Sequence, residues 1–498
     1  MDFTKSSTTA ENGYQGKSGK TNYVLPSPLA MLSKGKEYTK ESTKSLEQKK
    51  QILQHTLESF AIDGKVTGVA AGPRVTRFEI LLAPGVKSTK VVKIEENIAM
   101  AMETENIRIL QIPGHNAVGV EIPNSVADVV CMRDIIETDQ WQNSKYELPV
   151  VLGTDVVGKP VILDLGHLLI SGGPGSGKSV CMNTLIMSLL FKFSPEELRM
   201  IMIDPKIVDM ATYASLPHLL TPVINNAHKA SLILSWAVNE MEKRFRLLAK
   251  AKRKDIAGFN SRQIEQEPML DDNGVPVPEK LPFLVIIIDE LADIMMSRDK
   301  NDAETHIARI AQQGRAAGIH MVIATQRPSI NIITCVIRAN MWVRIAFKVG
   351  SIIDSRVLLE EKGAERLLGR GDMLFMPQGS AYLERIQGAI ASEQDIIRTV
   401  EFISSQSDQV FDQNLMGLTS KDDIADSPLT QKYIRPGDDN HMRNAISVIL
   451  TERKAGVSFF HRRLDISYKR AAKIMDSLEQ RGLVGKPEIL VHDEANKE

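Results

Sequence analysis

Apolar and polar positions along this chain change their rhythm several times, and each change predicts a different piece of architecture. Residues 1–44 are rich in Ser, Thr, Lys and Gly and carry no period, which predicts a disordered lead-in. A helical period follows over Lys49–Phe60. Two alternating runs, Val66–Ala71 and Arg74–Leu82, then read as strands hinged on Gly72-Pro73. A helix over Val91–Met102 and strands at Ile107–Ile112 and Val118–Ile122, turned by Pro113-Gly114, complete a compact α+β unit. Farther on the alternation gives way to short, near-continuous apolar runs separated by helical stretches: His167–Ser171, Arg199–Asp204, Leu284–Asp289, His320–Gln326 and Arg344–Val349. Such strands are buried on both faces, which predicts a parallel sheet covered by helices. A polar, Pro-rich loop at 261–282 interrupts this region, and a polar, Asp-rich stretch at 405–438 reads as a linker.

Composition sharpens the picture only at the C-terminus. The whole chain of 498 residues is nearly neutral, with 61 Lys and Arg against 62 Asp and Glu, which excludes a uniformly basic binder. Between Asn440 and Pro487, however, ten basic residues face four acidic ones. Within that module a helix over Tyr468–Gln480 places Lys469, Arg470 and Lys473 in its N-terminal half, with Ala472, Ile474 and Leu478 opposite and Gly482 closing it. A recognition helix presents its N-terminal residues to the major groove, so this layout suits DNA binding. Three scattered cysteines exclude a disulfide scaffold and predict a reducing compartment. No apolar run approaches the ~18 residues of a membrane span and no signal peptide is visible, so the chain as given reads as cytoplasmic.

The most specific chemistry lies at residues 172–179, Gly-Gly-Pro-Gly-Ser-Gly-Lys-Ser, between an apolar strand and the helix Val180–Leu190. This pattern and its flanks predict a phosphate loop. Backbone N–H groups of Gly172, Gly173, Gly175, Ser176 and Gly177 would close around phosphate oxygens, with Pro174 in the turn and Val180 in the first helical turn. Lys178 would reach the β- and γ-phosphates and the Ser179 hydroxyl would hold Mg²⁺. The run Leu284–Ile288 ends in Asp289-Glu290, where one carboxylate can join the Mg²⁺ shell and the next can polarise an attacking water. A third strand ends in Thr325-Gln326-Arg327, polar groups placed to sense the γ-phosphate. These residues predict hydrolysis of a nucleoside triphosphate, foremost ATP, but by themselves leave a motor, a kinase and a GTPase open.

At this point the chain resembles one family, the FtsK/SpoIIIE DNA translocases. The likeness is carried by AGPRVTRFEI (71–80), PGHNAVGVEIPN (113–124), GPGSGKSVCMN (173–183), MIDPK (202–206), IIIDELAD (286–293), RAAGIHMVIATQRPS (315–329), GAERLLGRGDMLF (363–375) and SFFHRRLDISYKRAAKIMDSLEQRGLVG (458–485). It implies an α/β fold: a RecA-like P-loop NTPase domain at 129–404, an N-terminal α+β domain at 45–128 and a C-terminal winged-helix domain at 439–490. It further implies a homohexamer that pumps double-stranded DNA for chromosome segregation, using ATP and Mg²⁺. The winged-helix module would orient the ring and contact a site-specific tyrosine recombinase. Carried over by position, Gln326 would sense nucleotide and Arg315 would act in trans on a neighbour's ATP. Arg327, Arg338 and Arg356 would contact DNA phosphates from the pore, and Arg462, Arg463, Lys469, Arg470 and Lys473 from the C-terminal module. Relatives are tethered to the membrane at the division septum, so attachment here would come through a missing domain or a partner. Three departures stand out: Lys469 replaces a usual Asn, and Cys335 and Ile352 replace a usual Gly and Lys. The rival readings are a peptide-secreting pump and an ATP-gated DNA clamp. The basic C-terminal module is what a peptide pump has no need of.

Overall fold

The computed structural model describes residues 23–35, 42–104, 106–112, 116–263, 269–271, 274, 276–380, 382–418, 433–435, 438–452, 455–464 and 466–484. The expected turn at Pro113-Gly114 lies outside them, as do residues 1–22 of the lead-in and most of the linker.

The lead-in is ordered over 23–35, contrary to expectation. Val24 exchanges two hydrogen bonds with the Gln406 side chain, at 2.9 and 3.0 Å. Ser33 gives both its backbone N–H and its hydroxyl to Asp395, so a polar sequence without period is fixed by partners far along the chain.

The N-terminal α+β unit holds strands β1 (Gly64–Ala71), β2 (Val75–Leu82), β3 (Arg108–Gln111) and β4 (Ala117–Pro123) in the antiparallel order β1-β2-β4-β3. Phe78, Ile80 and Leu82 of β2 and Val118, Val120 and Ile122 of β4 point to one face, as the period of two requires. They bury Leu53 and Leu57 of the helix Thr43–Ser59, whose spacing of four places both on one stripe. The single helix expected over Val91–Met102 is two, Thr89–Lys93 and Glu95–Ala101. Ile94 breaks out of helical geometry between them (φ −102°, ψ 19°), and Val91, Ile94 and Ile98 all reach the core. On β4 the opposite face is buried too: Glu121, between Val120 and Ile122, is only 1% exposed.

The central sheet has nine strands. β7 (Leu168–Ser171), β8 (Leu198–Ile203), β9 (Phe283–Ile288), β10 (Ile319–Thr325) and β11 (Val343–Phe347) are the expected apolar strands, and they pair in parallel in the order β11-β7-β10-β9-β8. The sheet does not stop there. Beyond β11 it continues antiparallel through β12 (Asp372–Met376), β13 (Glu384–Gly388), β5 (Pro149–Asp155) and β6 (Pro160–Asp164). The expectation of a wholly parallel sheet is therefore corrected to a mixed one. Among the described residues no helix is long and apolar enough to cross a membrane.

At the starts of β7 and β10, His167 and His320 stack with ring centroids 6.1 Å apart. Burial pushes the imidazoles down to about 4 and about 3, from 6.5. An unfolded chain takes up these protons near pH 6.5 while the folded chain refuses them until pH 3–4, so folding stability falls as pH drops through that window. The two shifts correspond to roughly 3 kcal/mol for His167 and roughly 5 kcal/mol for His320 at full extent. The urea midpoint should decline steeply between pH 6.5 and 4, and substituting both histidines by Phe should flatten that decline.

The C-terminal unit, described by itself, consists of helices Asn440–Glu452, Val457–Arg463 and Tyr468–Gln480 around Ile446, Phe460, Ala471, Ile474 and Leu478. Ser467 caps the third helix by accepting from Arg470 N–H, and Gly482 follows its end at φ 70°. The apolar stripe runs through Ala471 rather than the expected Ala472. Arg462, Arg463, Lys469, Arg470 and Lys473 are all exposed, with Arg470 paired to Asp439.

Candidate functional site

The C-terminal ends of β7, β9 and β10 lie side by side, and each delivers its polar residues to the same place. After β7 the chain turns through Gly172–Gly177, with Gly175 and Gly177 at φ 69° and 117°, a region that disfavours any side chain. Gly173 N–H is tied to Lys348 O at 2.9 Å and Ser176 O accepts from Gly371 N–H at 2.8 Å. The helix Lys178–Leu190 then begins with no side-chain cap, which leaves its first N–H groups for an anion. A Cβ at Gly172 would strike Ser176 Oγ and Phe347, and the Ser176 hydroxyl is buried without a partner. A wound loop, an uncapped helix and an orphaned hydroxyl together fit a phosphate chain.

Lys178 is 3% exposed and donates to Asp289 twice, to the carboxylate at 2.6 Å and to the carbonyl at 2.8 Å. Burial pushes the Asp289 carboxyl above its ordinary range, Lys178 opposes this, and Asp209 and Asp204 push the same way as burial. One lysine amid several carboxylates leaves an excess of negative charge that a divalent cation would neutralise. Among the described residues no three His, Cys, Asp or Glu groups form a metal cage. Mg²⁺ is commonly held by one or two protein groups together with substrate phosphates.

Glu290 is 4% exposed and heavily engaged. It accepts from Thr325 Oγ1 at 2.6 Å, from Gln326 N–H at 3.0 Å and from Ala292 N–H at 3.2 Å. The tip of β10 is thereby fastened to the carboxylate at the tip of β9. Arg327 N–H in turn donates to Thr325 Oγ1 at 3.1 Å.

The structure thus brings together Lys178, Asp289, Glu290 and Gln326, with Ser179 giving its hydroxyl to Asp209 at 2.8 Å. It does not bring Arg315 to them. Arg315 sits on the 3₁₀ turn Gly314–Ala317, ahead of the start of β10, while Lys178 and Glu290 sit at strand ends. The seven residues of β10 span about 20 Å, farther than an arginine side chain reaches. Arg315 is half exposed and pairs with Asp164 at 3.1 Å. Arg327 and Arg356 are exposed and follow the C-terminal ends of β10 and β11. Arg338, half buried on the helix Cys335–Asn340, donates to Cys335 Sγ at 3.3 Å. Sequence reasoning missed Asp209, the role of Thr325 and the contact from Gly371. None has a local signature, because each reaches the loop through tertiary packing.

Fold and site together define a RecA-like P-loop NTPase carrying an added α+β domain and a small helical C-terminal domain. Residues 131–330 match the FtsK/SpoIIIE family, 25–124 the FtsK alpha domain and 437–490 the FtsK gamma domain. The chain belongs to the FtsK/SpoIIIE family. It is 42% identical over 469 residues to DNA translocase FtsK of Clostridium acetobutylicum, covering 93% of this chain and 59% of that one. It is 40% identical over 467 residues to DNA translocase SftA of Bacillus subtilis, covering 93% and 47%. This chain therefore spans about half the length of these relatives. Among solved structures it is similar to the pCW3 conjugation coupling protein TcpA, with 20% identity, a TM-score of 0.49, and coverage of 72% of this chain and 100% of that one.

Proposed function

We propose that this chain is the motor of an ATP-driven, hexameric double-stranded DNA translocase serving chromosome segregation at cell division. The observation that carries this reading is the convergence of Lys178, Asp289, Glu290 and the β10 tip at one phosphate loop, in a chain related throughout to DNA translocases. Lys178 and the N–H groups of Gly175, Gly177 and the first helical turn bind and orient the triphosphate, whereas the expected donors Gly172, Gly173 and Ser176 give their N–H groups to the carbonyls of Thr325, Lys348 and Gly173. Mg²⁺, held by Ser179 and Asp289, would supply charge neutralisation on the β- and γ-phosphates. Glu290 accepts the proton of the attacking water. Its hydrogen bonds from Thr325 and Gln326 fix its direction.

The same bonds carry the event outward. A change at Glu290 shifts Thr325, and Thr325 holds the N–H of Arg327, so hydrolysis and a DNA-facing arginine are two hydrogen bonds apart. Arg338 and Arg356 join it in neutralising DNA phosphates from the pore, a sequence-independent grip that weakens steeply with salt. Arg315, too far from its own loop, serves the next subunit's ATP in the ring. The exposed basic face of Arg462, Arg463, Lys469, Arg470 and Lys473 orients the ring on DNA and leads to contact with a site-specific tyrosine recombinase. The chain works on the cytoplasmic side of the division septum.

Long double-stranded DNA should stimulate ATP hydrolysis by the wild-type chain, and raising salt should remove the stimulation. Deleting residues 438–498 should leave stimulated hydrolysis and pumping intact while abolishing directional bias on long DNA. Equal loss of pumping and bias in that truncation would assign the basic module to the motor itself.

A further inference from the structure

The phosphate loop leans on a second loop, Leu367–Asp372, whose own shape is unusual. Gly371 N–H donates to Ser176 O at 2.8 Å, and a Cβ at Gly177 would stand 2.6 Å from Gly371 N, so the two backbones touch where phosphate would be received. Gly369, Arg370 and Gly371 are all left-handed, at φ 78°, 51° and 93°. For Arg370 that costs about 1–2 kcal/mol, a conformation that persists only where its surroundings impose it.

Those surroundings are identifiable. Asp372 accepts Leu368 N–H at 2.7 Å and so closes the turn. Gly388 N–H donates to Gly371 O at 2.7 Å and Gln387 Nε2 to Arg370 O at 3.2 Å. Asp372 is itself gripped by both sides of the Arg385 guanidinium, at 2.9 and 2.7 Å. The remaining Arg385 nitrogen donates to Glu121 at 3.0 Å, 264 residues away on β4 of the N-terminal sheet. Arg108 on β3 stands 3.5 Å from the same Glu121 oxygen. Glu121, Asp372 and Arg385 are all buried, and Arg108 adds a second positive charge beside the two carboxylates. A bidentate arginine between two carboxylates has little freedom to reorient.

We infer that Glu121, on the N-terminal sheet, is a positioning residue for the phosphate loop: through Arg385, Asp372 and Gly371 it holds the Ser176–Gly177 segment in its phosphate-receiving shape. The inference rests on the reading of that loop as a nucleotide site, and it makes the N-terminal domain part of that site's architecture. The competing role, simple adhesion between the two domains, predicts lost stability without lost affinity.

Titration of the full chain with a fluorescent ATP analogue and Mg²⁺ separates the two. Glu121→Gln should weaken binding about tenfold, within the range of coupling through such networks. Gly371→Ala should weaken it at least as much, and Glu121→Asp should recover part of the loss. Leu57→Ala, which hollows the core of the same N-terminal sheet, should lower the melting temperature while leaving affinity unchanged. Should Glu121→Gln fail to fold, the charge-balanced pair Arg108→Gln with Glu121→Gln tests the same link and should show the same weakening. Wild-type affinity in a folded Glu121 variant would overturn the inference while leaving the nucleotide site standing. A wild-type chain that bound no nucleotide would overturn both.

Discussion

Replacing Glu290 by Gln should lower ATP turnover by about 10²–10⁴-fold, the contribution of a positioned general base, while leaving nucleotide bound. Gln matches Glu in size, and its one carbonyl oxygen can take the place of Oε1, which accepts from Thr325 Oγ1 at 2.6 Å and from Gln326 N–H at 3.3 Å, while the 3.0 Å bond from Gln326 N–H to Oε2 is lost. The tip of β10 therefore stays fastened to β9. What Gln lacks is the ability to take a proton from water. The variant should hold ATP through gel filtration and release almost no phosphate in a single turnover. Lys178→Ala behaves differently, because it removes a phosphate ligand and also leaves the buried Asp289 without its cation. It should lose both binding and turnover, together with some stability. Turnover near the wild-type rate in Glu290→Gln would remove Glu290 from the chemistry.

The second large effect belongs to Arg315. Its substitution by Ala should lower DNA-stimulated turnover by about 10³–10⁵-fold, as loss of an arginine finger does, with nucleotide affinity preserved. β10 separates Arg315 from the phosphate loop of its own chain. Two inactive variants, Lys178→Ala and Arg315→Ala, should then restore one another when mixed. In a mixed ring an intact phosphate loop on one subunit meets an intact Arg315 on the next. Complementation in the mixture, measured as ATPase activity against mixing ratio, is the expected result. Mixtures as inactive as their components would place Arg315 outside the reaction.

Half of the central sheet was legible because its strands are buried on both faces and read as unbroken apolar runs. The antiparallel half was not. β6 and β13 bury only their middles, and β5 is interrupted by Gly153, where the pairing with β6 shifts register and any Cβ would collide with Gln387 O. A glycine demanded by a neighbour on another strand looks, in sequence, like a turn. The helix over 91–102 failed for a related reason: apolar spacing shows which residues face the core but not where Ile94 bends the axis to let them. At the site, Lys178, Ser179, Asp289 and Glu290 could be read because motif and flanking strand are contiguous. Asp209, the bond from Thr325 to Glu290 and the Glu121–Arg385–Asp372 chain could not, because their partners lie 30, 35 and up to 264 residues away. Arg315 was readable through family likeness alone. A lone arginine after a helix carries no signal of its own, and the structure shows only that β10 separates it from the phosphate loop of its own chain.

Displacement of a triplex-forming third strand from a long duplex tests whether hydrolysis at this loop moves double-stranded DNA. Displacement by the wild-type chain should require ATP, grow with the duplex length available for loading, and be absent in Lys178→Ala. ATP hydrolysis stimulated by DNA with the third strand left in place would contradict it, and would describe a clamp instead of a motor.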